Sequence, residues 1–160
     1  MSHNNWETQP REKNGEFAER TFQEVYDFAA KLLAYYSSTN GGEVAEFSKG
    51  GSYGELKKTT IGNKKVQIHH MPADSVSPFS KWKGPCIIMS VEDHKLTESY
   101  GNKGSARAYR EQQKKLIEKG KFLEAELQDI ISILNVSGAK YSKAMKEKLD
   151  YDNKLIQGVK

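Results

Sequence analysis

Cysteine is nearly absent from this sequence: Cys86 is the only one among 160 residues, so the chain has no intramolecular disulfide. Long apolar runs are also missing, and we expect neither a signal peptide nor a membrane span. One domain of this length buries a core without metal or disulfide cross-links, so folding alone gives no reason for a metal. Nothing in the chain directs secretion, which fits a cytosolic protein and equally a domain of a longer exported polypeptide.

Charge is unevenly distributed along the chain. Residues 1–48 hold four basic and eight acidic residues, a net charge of −4. Residues 49–160 therefore carry +8, which brings the net charge of the whole chain to +4. A positive field of this kind attracts polyanions, and phosphate backbones are the commonest of them. A solvated, lysine-rich helical surface explains the same composition without a ligand.

The two ends of the sequence differ in pattern. Residues 1–16 are polar and lack apolar periodicity, which predicts a leader or linker before a single domain over 17–160. Apolar positions recur at helical spacing from Thr21 to Tyr36 and predict a first amphipathic helix. The glycine-rich stretch 41–63 predicts a loop with at most one short strand or hairpin.

The middle of the chain predicts two strands around a loop. Lys65–Ile68 alternates as a half-buried strand does, and Pro85–Val91 is apolar and rich in β-branched residues. Beyond Glu92 the pattern is helical in three further steps, separated near Gly120 and Gly138. The prediction is therefore an α+β domain with a small ββα core, one helix before it and about three after it.

Three of the four histidines lie around this predicted strand pair: His69, His70 and His94. Adjacent residues on a strand point to opposite sides, so His69 and His70 are expected to have different roles. A neutral imidazole binds divalent ions, and a second imidazole can take a proton from water. The order strand, histidine pair, loop, strand, helix start brings His94 back beside the first histidine. Ordinary strand-end histidines and an Asp93-paired helix start are the structural alternative.

The segment His69-His70-Met71-Pro72 resembles the His-His-x-Pro variants of the HNH/endonuclease VII superfamily, especially the toxin domains of bacterial polymorphic toxins. The resemblance covers about 64–104 and implies a ββα-metal nuclease core. It implies that His69 and His94 bind a divalent metal ion (Mg2+, Mn2+, Ni2+ or Zn2+) and that His70 is the general base. The asparagine that braces the base in this superfamily has no clear counterpart here, and Asp74 is one candidate to replace it.

The resemblance extends downstream through Asp93-His94-x-x-Thr97-x-Ser99-Tyr100-Gly101. It makes Asp93, Thr97 and Ser99 supporting residues of the same site, together with Asp74. Its biological implication is the toxic part of a delivered effector, which acts in the cytoplasm of a target cell and is neutralised in its producer by an immunity protein.

Basic and aromatic side chains near these residues are candidates for substrate binding. Arg107, Arg110 and Lys114 share one face of a predicted helix, where they would hold phosphates or form an ordinary solvated surface. Trp82 and Phe79 would stack on a nucleobase or, as is more common for aromatic residues, cover the core.

The function expected from these observations is metal-dependent hydrolysis of phosphodiester bonds, with DNA favoured over RNA. The principal alternative is a non-catalytic nucleic-acid-binding protein or phage-structural adaptor whose histidines hold a structural metal. A cysteine hydrolase is disfavoured because Cys86 lies inside an apolar strand, which is typical of an inert thiol.

Overall fold

The computed structural model of this chain describes residues 21–39 and 42–158. The leader predicted for residues 1–16 lies outside these described residues. Within them, no helix has the length and apolar character needed to cross a bilayer.

A three-stranded antiparallel sheet forms the centre of the domain. Its strands are β1 (Gly50–Ser52), β2 (Val66–His70) and β3 (Pro85–Ser90), in the order β1-β3-β2. The central strand β3 is buried from Pro85 to Met89, as its apolar sequence predicts. Strand β2 is an edge strand, so the two adjacent histidines lie at the border of the sheet.

Four long helices follow the sequence periodicity. They are α1 (Phe22–Thr39), α4 (Gly104–Glu118), α5 (Phe122–Ser137) and α6 (Ser142–Ile156). Apolar residues of α1, α5 and α6 pack with Ile87 and Met89 in one large core. Helix α6 lies directly against β1, where a Cβ at Gly50 would overlap the carbonyl oxygen of Ala144.

A short helix, α2 (Tyr53–Thr59), covers the opposite face of the sheet. Its Leu56 packs with Cys86 and Ile88 in a second, smaller core. Sequence reasoning assigned this stretch to a loop, and the structure corrects that prediction: two helices precede the hairpin. The sequence Ser52-x-x-Glu55 is a capping signal at the start of α2. In the structure the Ser52 side chain accepts a hydrogen bond from the Glu55 N–H at 3.2 Å.

The hairpin of β2 and β3 is followed at once by α3 (Val91–Lys95), a helix of five residues. Ser90 caps this helix, and the Asp93 side chain ties it to the turn before α6. The chain therefore has the strand, strand, helix order expected for residues 64–104, within an α+β fold of the predicted class.

Candidate metal and base site on strand β2

Strand β2 sends its two histidines to opposite faces of the sheet. His69 is paired in register with Ile87, and His70 with Cys86, so the first lies on the large-core face and the second on the α2 face. His69 is buried, whereas His70 is half-buried. Their environments differ accordingly.

His94 lies beside His69, although 24 residues of sequence separate them. The two ring centroids are 4.8 Å apart with an interplanar angle of 61°. Helix α3 starts at the end of β3 and crosses the edge strand, which is what returns His94 to the histidine pair. The Tyr100 ring lies edge-on to His94 at 5.0 Å and closes the outer side of the pair.

The His94 ring is oriented by Gln67, which stands two residues before His69 on the same face of β2. The His94 Nδ1–H donates to the Gln67 side-chain oxygen over 2.6 Å, because an amide oxygen only accepts. This hydrogen bond leaves the lone pair of His94 on Nε2. Orientation of a histidine through its other ring nitrogen is typical of metal-binding imidazoles.

Burial keeps both imidazoles uncharged at neutral pH. It lowers the pKa of His69 well below the usual value, with further lowering by His94, His70 and Lys148. It also lowers the pKa of His94 to about 4. The buried Nε2 of His69 has no hydrogen-bond partner within the described residues. A buried, neutral and unsatisfied nitrogen is costly for the protein and is suited to a metal ion.

Beyond these two imidazoles, candidate metal ligands are sparse. No cluster of three or more His, Cys, Asp or Glu side chains within 21–39 and 42–158 is arranged to hold a metal ion. The residues present thus fit an ion bound by two imidazoles, with its other positions open to water or substrate oxygens.

His70 is fixed by contacts on the other face. Its Nε2–H donates to the Lys81 carbonyl oxygen over 3.1 Å, which leaves the lone pair on Nδ1. Its ring stacks on Tyr53, with centroids 5.0 Å apart and planes 17° apart. A Cβ at residue 84 would lie 2.8 Å from the His70 ring, so Gly84 provides the space that the imidazole occupies.

The bracing of His70 comes from a different residue than the sequence indicated. Asp74 is exposed in a short 3-10 helix, Asp74–Val76. The group that accepts the hydrogen bond from His70 is the backbone carbonyl of Lys81. A backbone carbonyl leaves no sequence signature, because any residue type supplies one. Only the conformation of the loop between β2 and β3 reveals it.

Asp93, Thr97 and Ser99 support α3 and the loop after it. The Asp93 carboxylate accepts hydrogen bonds from Lys140 at 2.9 Å and Tyr141 at 2.6 Å. Burial would raise the pKa of Asp93, but these hydrogen bonds outweigh it and the pKa is lowered. The Thr97 hydroxyl donates to the His94 carbonyl oxygen over 2.8 Å. These residues therefore position His94 through the backbone.

The predicted substrate-binding arginines also hold this loop. Arg110 donates to the carbonyl oxygens of Ser99 and Gly101 over 2.5 and 2.8 Å, and Arg107 donates to that of Asn102. Lys114 is exposed farther along α4. The structure thus gives both guanidinium groups a bracing role that the sequence did not predict.

An open groove of about 360 Å³ lies beside the edge strand, where Gln67 and Ile68 of β2 contribute to its lining. His94 and Tyr100 line one side, and Tyr53, whose ring covers His70, lines the other. The sequence indicated no role for four residues of this site: Gln67, Tyr53, Lys81 and Tyr100. Gln67 was detectable, because it shares its strand face with His69.

Comparison with known proteins gives no relative from which a function is transferred. No protein-family model matches the chain, and the searches of curated proteins and of solved structures likewise find no similar protein.

Proposed function

We propose that this protein is a metal-dependent endonuclease that hydrolyses phosphodiester bonds, with DNA favoured over RNA. The observation that carries the proposal is the pair of neutral imidazoles, His69 and His94, with the buried Nε2 of His69 unsatisfied. A purely structural histidine at 3% exposure is normally hydrogen-bonded. A bound cation would satisfy this nitrogen.

His69 and His94 would hold the ion, and Gln67 would orient His94. Imidazole donors suit Zn2+ and Ni2+, whereas Mg2+ prefers oxygen ligands. A divalent ion bound there supplies charge stabilisation to the scissile phosphate and the leaving oxygen.

His70 would act as the general base. The Lys81 carbonyl fixes its tautomer, so that Nδ1 is the nitrogen free to accept a proton from water. Stacking on Tyr53 restricts rotation of the ring and holds Nδ1 in one direction. Because His70 lies on the opposite face of β2 from His69, the scissile phosphate would bridge the edge strand along the groove.

The charge of the surrounding surface favours a polyanionic substrate. Residues 49–84 contain seven lysines against Glu55 and Asp74, a net charge of +5, whereas residues 85–160 carry +3. The positive field is therefore densest on the segment that contains α2, β2 and the loop after it. Phosphate backbones are attracted to such a surface.

The burial of the histidine pair favours one second candidate, a non-catalytic nucleic-acid-binding protein with a structural metal. In that case the same ion would join β2 to α3 without hydrolysis. The resemblance of the His-His-x-Pro segment favours the nuclease and, with it, a toxin domain that acts in the cytoplasm of a target cell and has a cognate immunity protein.

The two functions are separated by incubating the purified protein with plasmid DNA, with the same DNA after heat denaturation, and with total RNA. The nuclease predicts cleavage in Ni2+, Zn2+, Mn2+ or Mg2+ and none in EDTA. His3→Ala, which changes the remaining histidine of the chain, serves as the control. Metal binding without cleavage of either nucleic acid, in all four ions, would support the structural-metal protein instead.

A further inference from the structure

Trp82 is exposed in the immediate neighbourhood of His70. It is 60% exposed, yet its ring contacts Tyr53 edge-on, with centroids 5.4 Å apart. Tyr53 in turn stacks on His70 at 5.0 Å. One aromatic residue therefore connects an open tryptophan face to the candidate base.

The backbone around Trp82 is held on several sides. The Gly54 N–H donates to the Trp82 carbonyl oxygen over 3.0 Å, and the Tyr53 N–H donates to that of Gly84 over 3.0 Å. The Tyr151 hydroxyl donates to the Lys83 carbonyl oxygen over 2.6 Å. These bonds tie the loop to α2 and α6, so the exposed ring is presented from a fixed position.

The other aromatic residue of this loop behaves differently. Phe79 packs against Phe122 at 5.2 Å and joins the large core. Covering the core thus accounts for Phe79 and leaves the exposure of Trp82 unexplained. A large, rigid and exposed indole beside a candidate active site is typical of a binding surface.

Positive charge surrounds the ring. Lys81 and Lys83 flank Trp82 in the sequence, and both are exposed. The Lys81 ammonium lies 5.2 Å from the centroid of the Tyr53 ring. Lys57 lines the adjoining groove. An aromatic face among lysines is complementary to a nucleobase that is attached to a phosphate backbone.

We propose that Trp82 stacks on an unpaired nucleobase and that the substrate bound at this site is a single-stranded segment of nucleic acid. This inference rests on the proposed function in taking nucleic acid as the ligand. The faces of bases in a duplex are already stacked on their neighbours, so only an unpaired base covers the indole. Lys81 and Lys83 then contact the phosphates on either side of that base.

Tryptophan fluorescence tests the proposal in EDTA, where cleavage plays no part. Trp6→Phe leaves Trp82 as the single tryptophan of the chain. Titration with a thymine oligonucleotide should quench Trp82, whereas a blunt duplex of equal length should quench it far less. In anisotropy measurements with labelled strands, Trp82→Ala should weaken single-strand binding roughly 5- to 150-fold, and Trp82→Phe should restore part of the affinity.

Two controls separate stacking from charge. Ile131→Ala removes an exposed apolar side chain (42%) from α5, which contributes no residue to the site, and should leave the affinity unchanged. An abasic strand offers phosphates without bases, so Trp82→Ala and the parent protein should bind it equally.

Equal binding of single strand and duplex by the parent, or unchanged single-strand affinity in a folded Trp82→Ala protein, would overturn the proposal. A Trp82 effect of the same size on the abasic strand would also overturn it, because Trp82 would then act without a base to stack on. If cleavage fails but Trp82-dependent binding in EDTA is found, only the catalytic function is lost. If cleavage occurs without that dependence, only the stacking inference is lost.

Discussion

Lys148 places a positive charge in the interior of this protein. It is fully buried on α6, where its ammonium forms ion pairs with Glu126 and, at 2.6 Å, with Asp152. Burial lowers the pKa of Lys148 and raises that of Asp152. Because a single cation pairs with two buried carboxylates, losing it would leave both carboxylates without an ion-pair partner.

Replacing Lys148 with methionine keeps much of the volume and removes the only cation of this cluster. We expect a loss of about 3–5 kcal/mol in the free energy of unfolding, because two carboxylates remain buried without a partner. The loss should be smaller at pH 5 than at pH 8, since burial raises the pKa of Asp152 and its protonation removes one of the two negative charges. Urea unfolding at both pH values measures the effect.

The matched control is Lys143→Met on the same helix, whose ion pair with Glu147 is largely exposed. It should change stability by less than about 1 kcal/mol. Equal losses in the two variants would mean that the cluster does not hold the core.

Asp129 gives the stability of the fold a defined pH dependence. It accepts hydrogen bonds from Tyr109 at 2.7 Å and Gln113 at 2.9 Å, but burial dominates and raises its pKa to about 7. Between pH 4 and 7 the folded protein therefore holds a proton that the unfolded chain has released. Above pH 7 the buried carboxylate of Asp129 is ionised, which lowers the free energy of unfolding. As the pH falls below 7, Asp129 becomes protonated in the folded protein and this loss of stability disappears.

Asp129→Asn removes this titration. We compare the free energy of unfolding of the variant with that of the parent. This difference should be on the order of 2 kcal/mol more favourable to the variant at pH 8 than at pH 5, since each unit of pKa difference corresponds to about 1.4 kcal/mol. Urea unfolding at the two pH values gives the difference, and Asp150→Asn, at an exposed pair with Lys146, is the control. An equal difference in stability between variant and parent at both pH values would contradict a raised pKa of Asp129.

At the scale of elements, the long helices and the hairpin were predictable because each has a periodic apolar pattern and clear ends. Helix α2 was not, since a helix of seven residues that buries only Leu56 shows no period. Strand β1 is Gly-Gly-Ser and becomes a strand only through pairing with β3.

The histidine site divides in the same way. Alternation along β2 predicted the opposite directions of His69 and His70, and the strand order predicted the return of His94. The braces were not predictable, because Lys81, Ser99 and Gly101 act through backbone carbonyl groups. The Glu126, Lys148 and Asp152 cluster was likewise hidden, since helix packing alone brings α5 and α6 together.

Two double variants of equal charge test which element binds phosphates. Lys57→Gln with Lys81→Gln should make the salt dependence of single-stranded DNA binding shallower, by about 0.7 counterion per lost contact. Arg107→Gln with Arg110→Gln should leave this slope unchanged and lower thermal stability, because these arginines hold the loop before α4.

Binding is measured across a salt series in EDTA. A slope that falls only in the arginine variant would place the phosphates along α4, as the sequence first indicated. Equal reductions in both variants would mean that net charge alone governs binding.

At the scale of the whole molecule, the edge strand β2 separates two chemical tasks. One face carries the neutral imidazole pair that would hold an ion, and the other carries the braced imidazole that would accept a proton. The groove lined by His94 and Tyr53, and the lysine-rich segment 49–84, lie beside them. In the proposed nuclease, this division would make metal binding and cleavage of nucleic acid separable by mutation.

The most direct test of this account measures metal affinity and cleavage of single-stranded DNA side by side in His69→Ala, His94→Ala and His70→Ala. Isothermal titration with Ni2+ or Zn2+ should show weaker binding in the first two variants and parent-like binding in His70→Ala. His70→Ala should nevertheless cleave roughly a hundredfold more slowly or worse, because only the general base is lost. Unchanged metal affinity in folded His69→Ala and His94→Ala, or parent-like cleavage by His70→Ala, would contradict the account.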